Sequence, residues 1–424
     1  MNRGWSPPRL FYGWWIAGAC FLIAFYTGGV VVYGFTAMLE PIANEFGWSY
    51  TQISFAASLR GLEMGILAPF GGMFADRFGP RKLILGGAII NSLGLMLLSR
   101  ATSLGMFYGA FVLVAIGVSA TSSTVLVTAV ANWFWRKIGI ATGIVSSGYG
   151  FSGLLVPLIV RLIDTYEWRI AVGILATGML ALCLPLSLVV RHKPEQYGYV
   201  PDGGRNSIVE FHCLNDPVEA EEADVKPKQA LKSSIFWHIA LAQVCQGLAL
   251  SAVLIHVMPY LSSIGVVRAT SGLVAGGIPL ASITGRLGLG WLGDKLDKRR
   301  VAAGSFAMIS LGLLCFGFAS GRHTWLLVFF LVLFGMGYGG NNTLRASLIR
   351  EAFGRSNFGA VHGLMMSLMT LGTIAGPLLA AHVFDNEGSY GSIWFVFAGL
   401  AIAALVMIAT TPPVSSEIRS GDKP

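Results

Sequence analysis

Charge is scarce in this chain. Of its 424 residues only 12% are Asp, Glu, Lys or Arg, about half the ~25% typical of a soluble domain. An ordinary water-soluble globular protein is thereby excluded. Cysteine is scarce as well: Cys20, Cys183, Cys213, Cys245 and Cys315 are scattered without CxxC spacing, a pattern that supports neither a zinc site nor a disulfide framework. No P-loop sequence is present, so ATP-driven pumping is not expected, and the chain predicts no metal and no cofactor. Acids and histidines inside the apolar stretches are isolated rather than clustered, which argues against a membrane-embedded enzyme. No lysine occurs before Lys82.

What the chain has in abundance is apolar length. Hydrophobic residues make up 54% and glycine contributes 54 residues, a composition suited to close helix packing in lipid. Roughly twelve apolar stretches of about 20 residues can be drawn, each long enough to cross a bilayer. Their centres fall near Phe25, Leu62, Asn91, Val118, Phe151, Ala181, Leu248, Ala281, Leu311, Leu333, Leu371 and Leu400. The fold class expected is therefore an all-α membrane protein with twelve transmembrane helices. Arg3 and Arg9 precede an apolar run reaching about Leu39, longer than the core of a cleaved signal peptide. Residues 191–234 are polar and carry both charge signs, as a solvated linker does. The predicted organisation is a six-helix half over 1–190, a linker over 191–234, a second half over 235–412 and a tail over 413–424.

Cations are distributed unevenly about this layout. With both termini and the linker on one side, 22 of the 29 Lys and Arg residues lie on that side, Arg345 among them, and five lie opposite. The positive-inside rule then places termini and linker in the cytoplasm, of an inner or plasma membrane. It also explains the net charge of +8 without a nucleic-acid surface. The halves repeat: Asp76 and Asp294 are offset by 218 residues, as are Pro41 and Pro259, and Gly47 and Gly265. Two parallel six-helix pseudo-repeats with a site between them form one of the transporter architectures.

Residues 72–82, with Gly72, Asp76, Arg77, Arg81 and Lys82, resemble the loop signature of the major facilitator superfamily, G-x-L-a-D-r-x-G-r-[RK], and Asp294 marks a degenerate second copy. The resemblance implies the major facilitator fold and assigns these charges to gating at the cytoplasmic helix ends. A narrower match comprises Trp133, Phe134, Arg136, Lys137, Ala141, Gly143, Ser147 and Gly148. It resembles the fifth-helix signature of the monocarboxylate transporter family, and Tyr12, Gly13, Trp14 and Trp15 are similar to that family's other signature without its leading acid. Arg286 stands eight residues before Asp294, where members of that family carry a substrate-binding arginine. The chain thus resembles a bacterial monocarboxylate transporter.

Arg286 is the only charge in the centre of its apolar stretch. An arginine near a bilayer centre costs roughly 2.5–3.5 kcal/mol on insertion scales, and its guanidinium does not escape by deprotonating. It is expected to face a wet cavity and to clamp a carboxylate with its planar fork. His256 titrates near neutral pH and is a candidate for substrate binding and proton coupling, or equally a packing residue of the outer gate. Glu63 is a second proton-coupling candidate, or the structural partner of Arg60 one turn away. Ser282, Tyr33, Ser147, Tyr338, Asn341, Asn342 and Ser367 are polar groups in apolar helices and complete the candidate substrate-binding set. Gly148, Gly150 and Gly153 fit GxGxxG, but within a span and without a preceding strand they suit helix packing, not a dinucleotide.

The resemblance also has departures. Eukaryotic relatives have an acid four residues before the arginine, where this chain has Ser282, and a first-helix lysine, which it lacks. The oxalate–formate exchangers carry a second cation on helix eleven, whereas residues 358–383 contain none. One fixed cation in the cavity suits one carboxylate. The expected function is therefore symport of a small monocarboxylate anion of the L-lactate or pyruvate type with a proton, by a monomer in the lipid bilayer. The alternatives are exchange of carboxylates of the oxalate–formate kind and a non-transporting carboxylate receptor.

Overall fold

The computed structural model describes residues 11–59, 74, 78–134, 138–192, 194–197, 227–353 and 358–411. Every regular element among them is a helix. Lipid offers no water to satisfy a backbone N–H or C=O, so an apolar chain closes those bonds within each helix.

The first crossing is α1 (Tyr12–Thr27), a π-helical turn (Gly28–Tyr33) and α2 (Phe35–Phe46). Residues 50–59 form α3, and the rest of the predicted second span lies outside the described residues. There follow α4 (Pro80–Ser99), α5 (Leu104–Ala120) with α6 (Ser123–Ala131), α7 (Ile138–Phe151), a 3-10 turn (Ser152–Leu154) and α8 (Leu155–Val189). After one turn at Pro227–Ala230, the chain continues through α9 (Ser234–Ser263), α10 (Arg268–Lys295), α11 (Lys298–Gly317), α12 (Leu326–Phe353), α13 (Phe358–Glu387) and α14 (Gly391–Ala409).

Ten stretches of the described residues are long and apolar enough to cross a membrane. One of them, Ile140–Val189, has 50 residues. As a straight helix it would reach about 75 Å, far beyond a hydrocarbon core of about 30 Å. Glu167, at φ 66 and ψ 157, breaks it into two passes. The corner is pinned where Trp168 and Arg169 both donate to the Glu45 carboxylate at the end of α2.

The helix ends define two faces. The linker end carries Tyr12, Val189 and Ser234; the Arg268 end carries Gly47, Glu167 and Ser263. At the Arg268 end Gly47 (φ 64) and Gly265 (φ 80), paired in the sequence repeat, both take the left-handed conformation that stops a helix, which a Cβ would strain.

Small residues set how closely the helices approach. A Cβ on Gly339 of α12 would collide with the Ser282 carbonyl of α10, and one on Gly285 with that of Met336. The two helices therefore run side by side, backbone against backbone. The GxGxxG glycines behave as the sequence suggests: Gly148 abuts α1, while Gly150 and Gly153 abut Ile283 and Gly276 of α10. Two of these three glycines thus serve the contact between the halves. Leu93, Leu158, Leu273, Val328, Leu371 and Val396 point outward from different helices, as a lipid-facing belt requires.

Candidate functional site

Arg286 lies on α10 where that helix meets α7 of the other half. Its Nη1 donates one long bond, 3.4 Å, to the Ser146 carbonyl. Its Nε is buried with no partner. Among the described residues no carboxylate lies within ion-pair distance of it. A guanidinium normally saturates its fork of donors, so this one is left able to grip a planar anion.

One phenol, Tyr33, stands near it, with two more beyond. The π-helical turn ends at Tyr33, which is buried. π-turns interrupt the regular ladder and often occur at functional sites; this one brings Tyr33 into electrostatic range of Tyr338, Arg286 and Tyr149. Tyr338 comes from α12, held close by the Gly339–Ser282 contact, and Tyr149 comes from α7, its hydroxyl donating to the Thr121 carbonyl at 3.4 Å. Elements of both halves thus meet around Tyr33, with Arg286 among its neighbours.

The other predicted residues are placed less centrally. Ser282 is buried and donates back to the Pro279 carbonyl at 2.6 Å. Ser147 likewise turns to the Ile144 carbonyl at 2.6 Å, one residue from the carbonyl that Arg286 touches. Ser367 is exposed and bonds to the Gly363 carbonyl at 3.1 Å. Asn341 is buried and donates to Gln246, and Asn342 is half-buried beside it. Arg60, Glu63, Gly72, Asp76 and Arg77 lie outside the described residues. Arg81 is exposed in the first turn of α4, and Asp294 belongs to the last turns of α10.

His256 sits at a junction between the halves, fully buried. Its Nε2 is 3.0 Å from the Pro377 carbonyl and 3.1 Å from Ser54 Oγ; its Nδ1 is 3.0 Å from the Tyr390 hydroxyl. A carbonyl only accepts, so Nε2 carries the hydrogen and Nδ1 accepts from Tyr390, the tautomer being assigned from these partners. Ser54 belongs to the first half, Pro377 and Tyr390 to the second.

More cross-half contacts seal this end. Asp385 of α13 accepts from the Tyr50 and Thr51 amides and the Thr51 hydroxyl, at 3.1, 2.9 and 2.6 Å, capping the start of α3. The Tyr50 ring stacks on Phe384 at 4.8 Å, and Ser58 donates to the Ile374 carbonyl at 2.8 Å. Arg268 pairs with Asp164 at 2.6 Å and Glu40 at 3.4 Å and donates to the Ala37 carbonyl at 2.7 Å. Ser54, Asp385 and Tyr390 escaped sequence reasoning; their partners are 202, 335 and 134 positions away, and no local pattern marks them.

One sequence expectation needs correction. Arg345, counted among the linker-side cations, is half-buried against the second half. Its Nη1 donates to Gln243 Oε1 at 3.3 Å and contacts Met369 Sδ at 3.2 Å, and its Nε is buried without a partner. α12 thereby supplies a second guanidinium. The signal in the sequence was the pair Gln243 and Gln246, amides one turn apart in an apolar helix.

Comparisons with known proteins agree with this architecture. A family model described as Major Facilitator Superfamily matches residues 14–267 and 257–424. The chain is similar to Monocarboxylate transporter 12-B of Danio rerio, 26% identical over 96% of this chain and 88% of that protein. It is also similar to Monocarboxylate transporter 3 of Rattus norvegicus, 24% identical over 97% and 82%. Among solved structures, the nucleoside transporter NupG superposes with a TM-score of 0.71 at 14% identity, over 95% of this chain and 99% of that one. A bacterial homologue of the human lysosomal transporter Spinster superposes at 0.67 and 16%, over 96% of both chains.

Proposed function

Because the chain belongs to the Major Facilitator Superfamily, we propose that it carries a small monocarboxylate, of the lactate or pyruvate type, together with a proton across the membrane by alternating access. It is a membrane transporter of the major facilitator type, related to the monocarboxylate transporters, and not an enzyme. The finer reading is twelve helices in two six-helix halves, 1–190 and 235–412, with the 191–234 linker and both termini in the cytoplasm. The cation distribution supports that orientation.

One observation carries the substrate class: the fork of Arg286, at the contact between the halves, has no acidic partner among the described residues and an unpartnered Nε. A single carboxylate would supply acceptors for it, and a charge-assisted bidentate pair is directional as well as strong. The phenols of Tyr33 and Tyr338 can donate to the same anion or to a neighbouring keto or hydroxyl oxygen.

The cross-half contacts at the Arg268 end support reading it as the closed gate of this conformation, with loading from the linker end. The proton has a candidate place in that closure. A second proton on His256 would add a donor at Nδ1, where Tyr390 now donates, so Tyr390 must turn its hydroxyl and the Ser54–His256–Tyr390 chain must rearrange. Proton binding would thus act first on the Tyr390 side of the junction, beside the Nε2 contact to Ser54 that joins the halves. Glu63 is the other candidate carrier.

Uptake of labelled lactate into proteoliposomes, with and without an inside-alkaline gradient, tests the reading. Symport requires the gradient to drive accumulation. Uptake indifferent to the gradient but stimulated by internal lactate or oxalate would replace symport with exchange, the second reading, which the half-buried Arg345 favours. Tight binding with no flux under either condition would make the protein a receptor.

A further inference from the structure

The polar cluster around Arg345 is out of balance in one direction. Both glutamine carbonyl oxygens are used: Gln243 Oε1 accepts from Arg345, and Gln246 Oε1 accepts from Asn341 Nδ2. What is left over is mostly N–H. Gln243 Nε2, Gln246 Nε2 and Arg345 Nε are buried and unpartnered, against one spare acceptor, Asn341 Oδ1. Flipping the Gln243 amide would aim its NH₂ at the guanidinium, so the donor surplus is not an artefact of amide assignment. Each unsatisfied buried polar group costs about 1–3 kcal/mol. Three unpartnered donors and a positive charge in one cluster, with no acid bonded to it among the described residues, form an incomplete arrangement, and a carboxylate, with its acceptor-only oxygens, completes it.

The cluster is also placed along the path. α10 and α12 run in the same direction, with Gly285 against Met336 and Gly293 against Leu344. Arg286 is therefore level with Tyr338, and Arg345 lies seven residues further, about 10 Å closer to the linker end. Tyr338 is in electrostatic range of both Tyr33 beside Arg286 and Arg345 itself.

We propose that Arg345, with the amide N–H groups of Gln243 and Gln246, is a second carboxylate-binding site on the linker side of Arg286, which receives the substrate carboxylate as Arg286 releases it. The order of occupation rests on the Arg286 reading; the existence of the site does not.

The test uses full-length protein in detergent and lactate as the probe. Binding to the folded state raises the melting temperature, with an onset near the dissociation constant and a logarithmic rise above it. Arg286→Ala protein is expected to retain a saturable lactate-dependent rise, shifted to concentrations about tenfold higher by loss of the first clamp. Adding Gln243→Glu should remove that rise, because a tethered carboxylate then occupies the same donors. Gln243→Glu alone should melt higher than wild type without ligand. In proteoliposomes it should raise the KM measured from the linker side about fivefold while changing the KM from the Arg268 side less than twofold, a side-specific split that a merely structural role would not produce.

The proposal fails if Arg286→Ala protein shows no lactate-dependent rise, or if the rise survives Gln243→Glu. Should Gln243→Glu not fold, Gln246→Leu in the Arg286→Ala background gives the same decision by weakening the rise or leaving it intact. Normal uptake by Arg286→Ala would overturn the primary site and leave the side-specific KM of Gln243→Glu to decide this one.

Discussion

Arg268 and Arg286 sit on the same helix and meet opposite fates. At the Arg268 end the guanidinium reaches across to Asp164, Glu40 and the Ala37 carbonyl, and neighbouring Asp385 caps α3. About 27 Å along the helix axis, Arg286 has one 3.4 Å bond and a bare Nε. The residue type is the same, and the neighbours decide the role. Where cations are matched by acids from the other half, the contact is a latch that can open only by separating charges. Where no acid is supplied among the described residues, the fork is open to the external countercharge proposed for it.

The comparison breaks most visibly if Arg286 is dispensable. Arg286→Ala should lower lactate uptake about 100-fold, the scale of one lost charge-assisted bidentate contact. Arg286→Lys should recover only part, since a point charge lacks the planar fork. Wild-type rates in Arg286→Ala vesicles would end the clamp reading.

Next in size is the latch. Arg268 is about a quarter exposed, 27%, and its acids more so, so screening reduces each ion pair to roughly 1 kcal/mol or less. Three partners lost together should still shift the balance toward the state open at this end by about 1–2 kcal/mol, roughly tenfold. The measurement is the rate at which a cysteine placed at Ser58 reacts with a membrane-impermeant maleimide from the Arg268 side. Arg268→Ala should raise that rate about tenfold, and an unchanged rate would mean that the Asp385 cap and the His256 junction hold the end shut unaided.

How much of this was legible beforehand depends on the range over which each feature is determined. Spans and the apolar setting of Arg286 are local properties of the chain, and ten stretches of the described residues are helices long and apolar enough to cross a membrane. The packing role of Gly148, Gly150 and Gly153 was also local, since only backbone contact rewards three glycines in a membrane helix. Arg345 was misread because an arginine eight residues from a helix end can either reach to water or fold inward. Hydropathy treats both alike, and only the amides of α9 decide. His256 could be recognised as titratable but not placed, because Ser54 and Tyr390 are 202 and 134 positions away.

A smaller effect separates the latch from the proton. His256→Gln keeps a side-chain donor and acceptor but removes titration. If His256 carries the proton, lactate uptake should fall about threefold to tenfold, within the usual range for loss of a proton-transfer group, and its pH profile should flatten. If His256 is packing alone, the rate falls with the profile unchanged in shape. The shape of the profile, not the rate, therefore decides, and Glu63→Gln assayed in parallel assigns the proton to the other candidate if only that variant flattens.

The smallest expected effect is at Ser367, whose hydroxyl is exposed and turned back on the Gly363 carbonyl of its own helix. Such an i−4 bond contributes nothing between helices, and Ser367→Ala should leave uptake and KM within about twofold, as surface substitutions away from special features generally do. Its value lies in the contrast with Gln243→Glu on the facing helix. If Ser367→Ala instead raised KM from the linker side only, the release path would run along α13 on the Ser367 face, and the donor cluster at Arg345 would lose its claim to be the place where the carboxylate leaves.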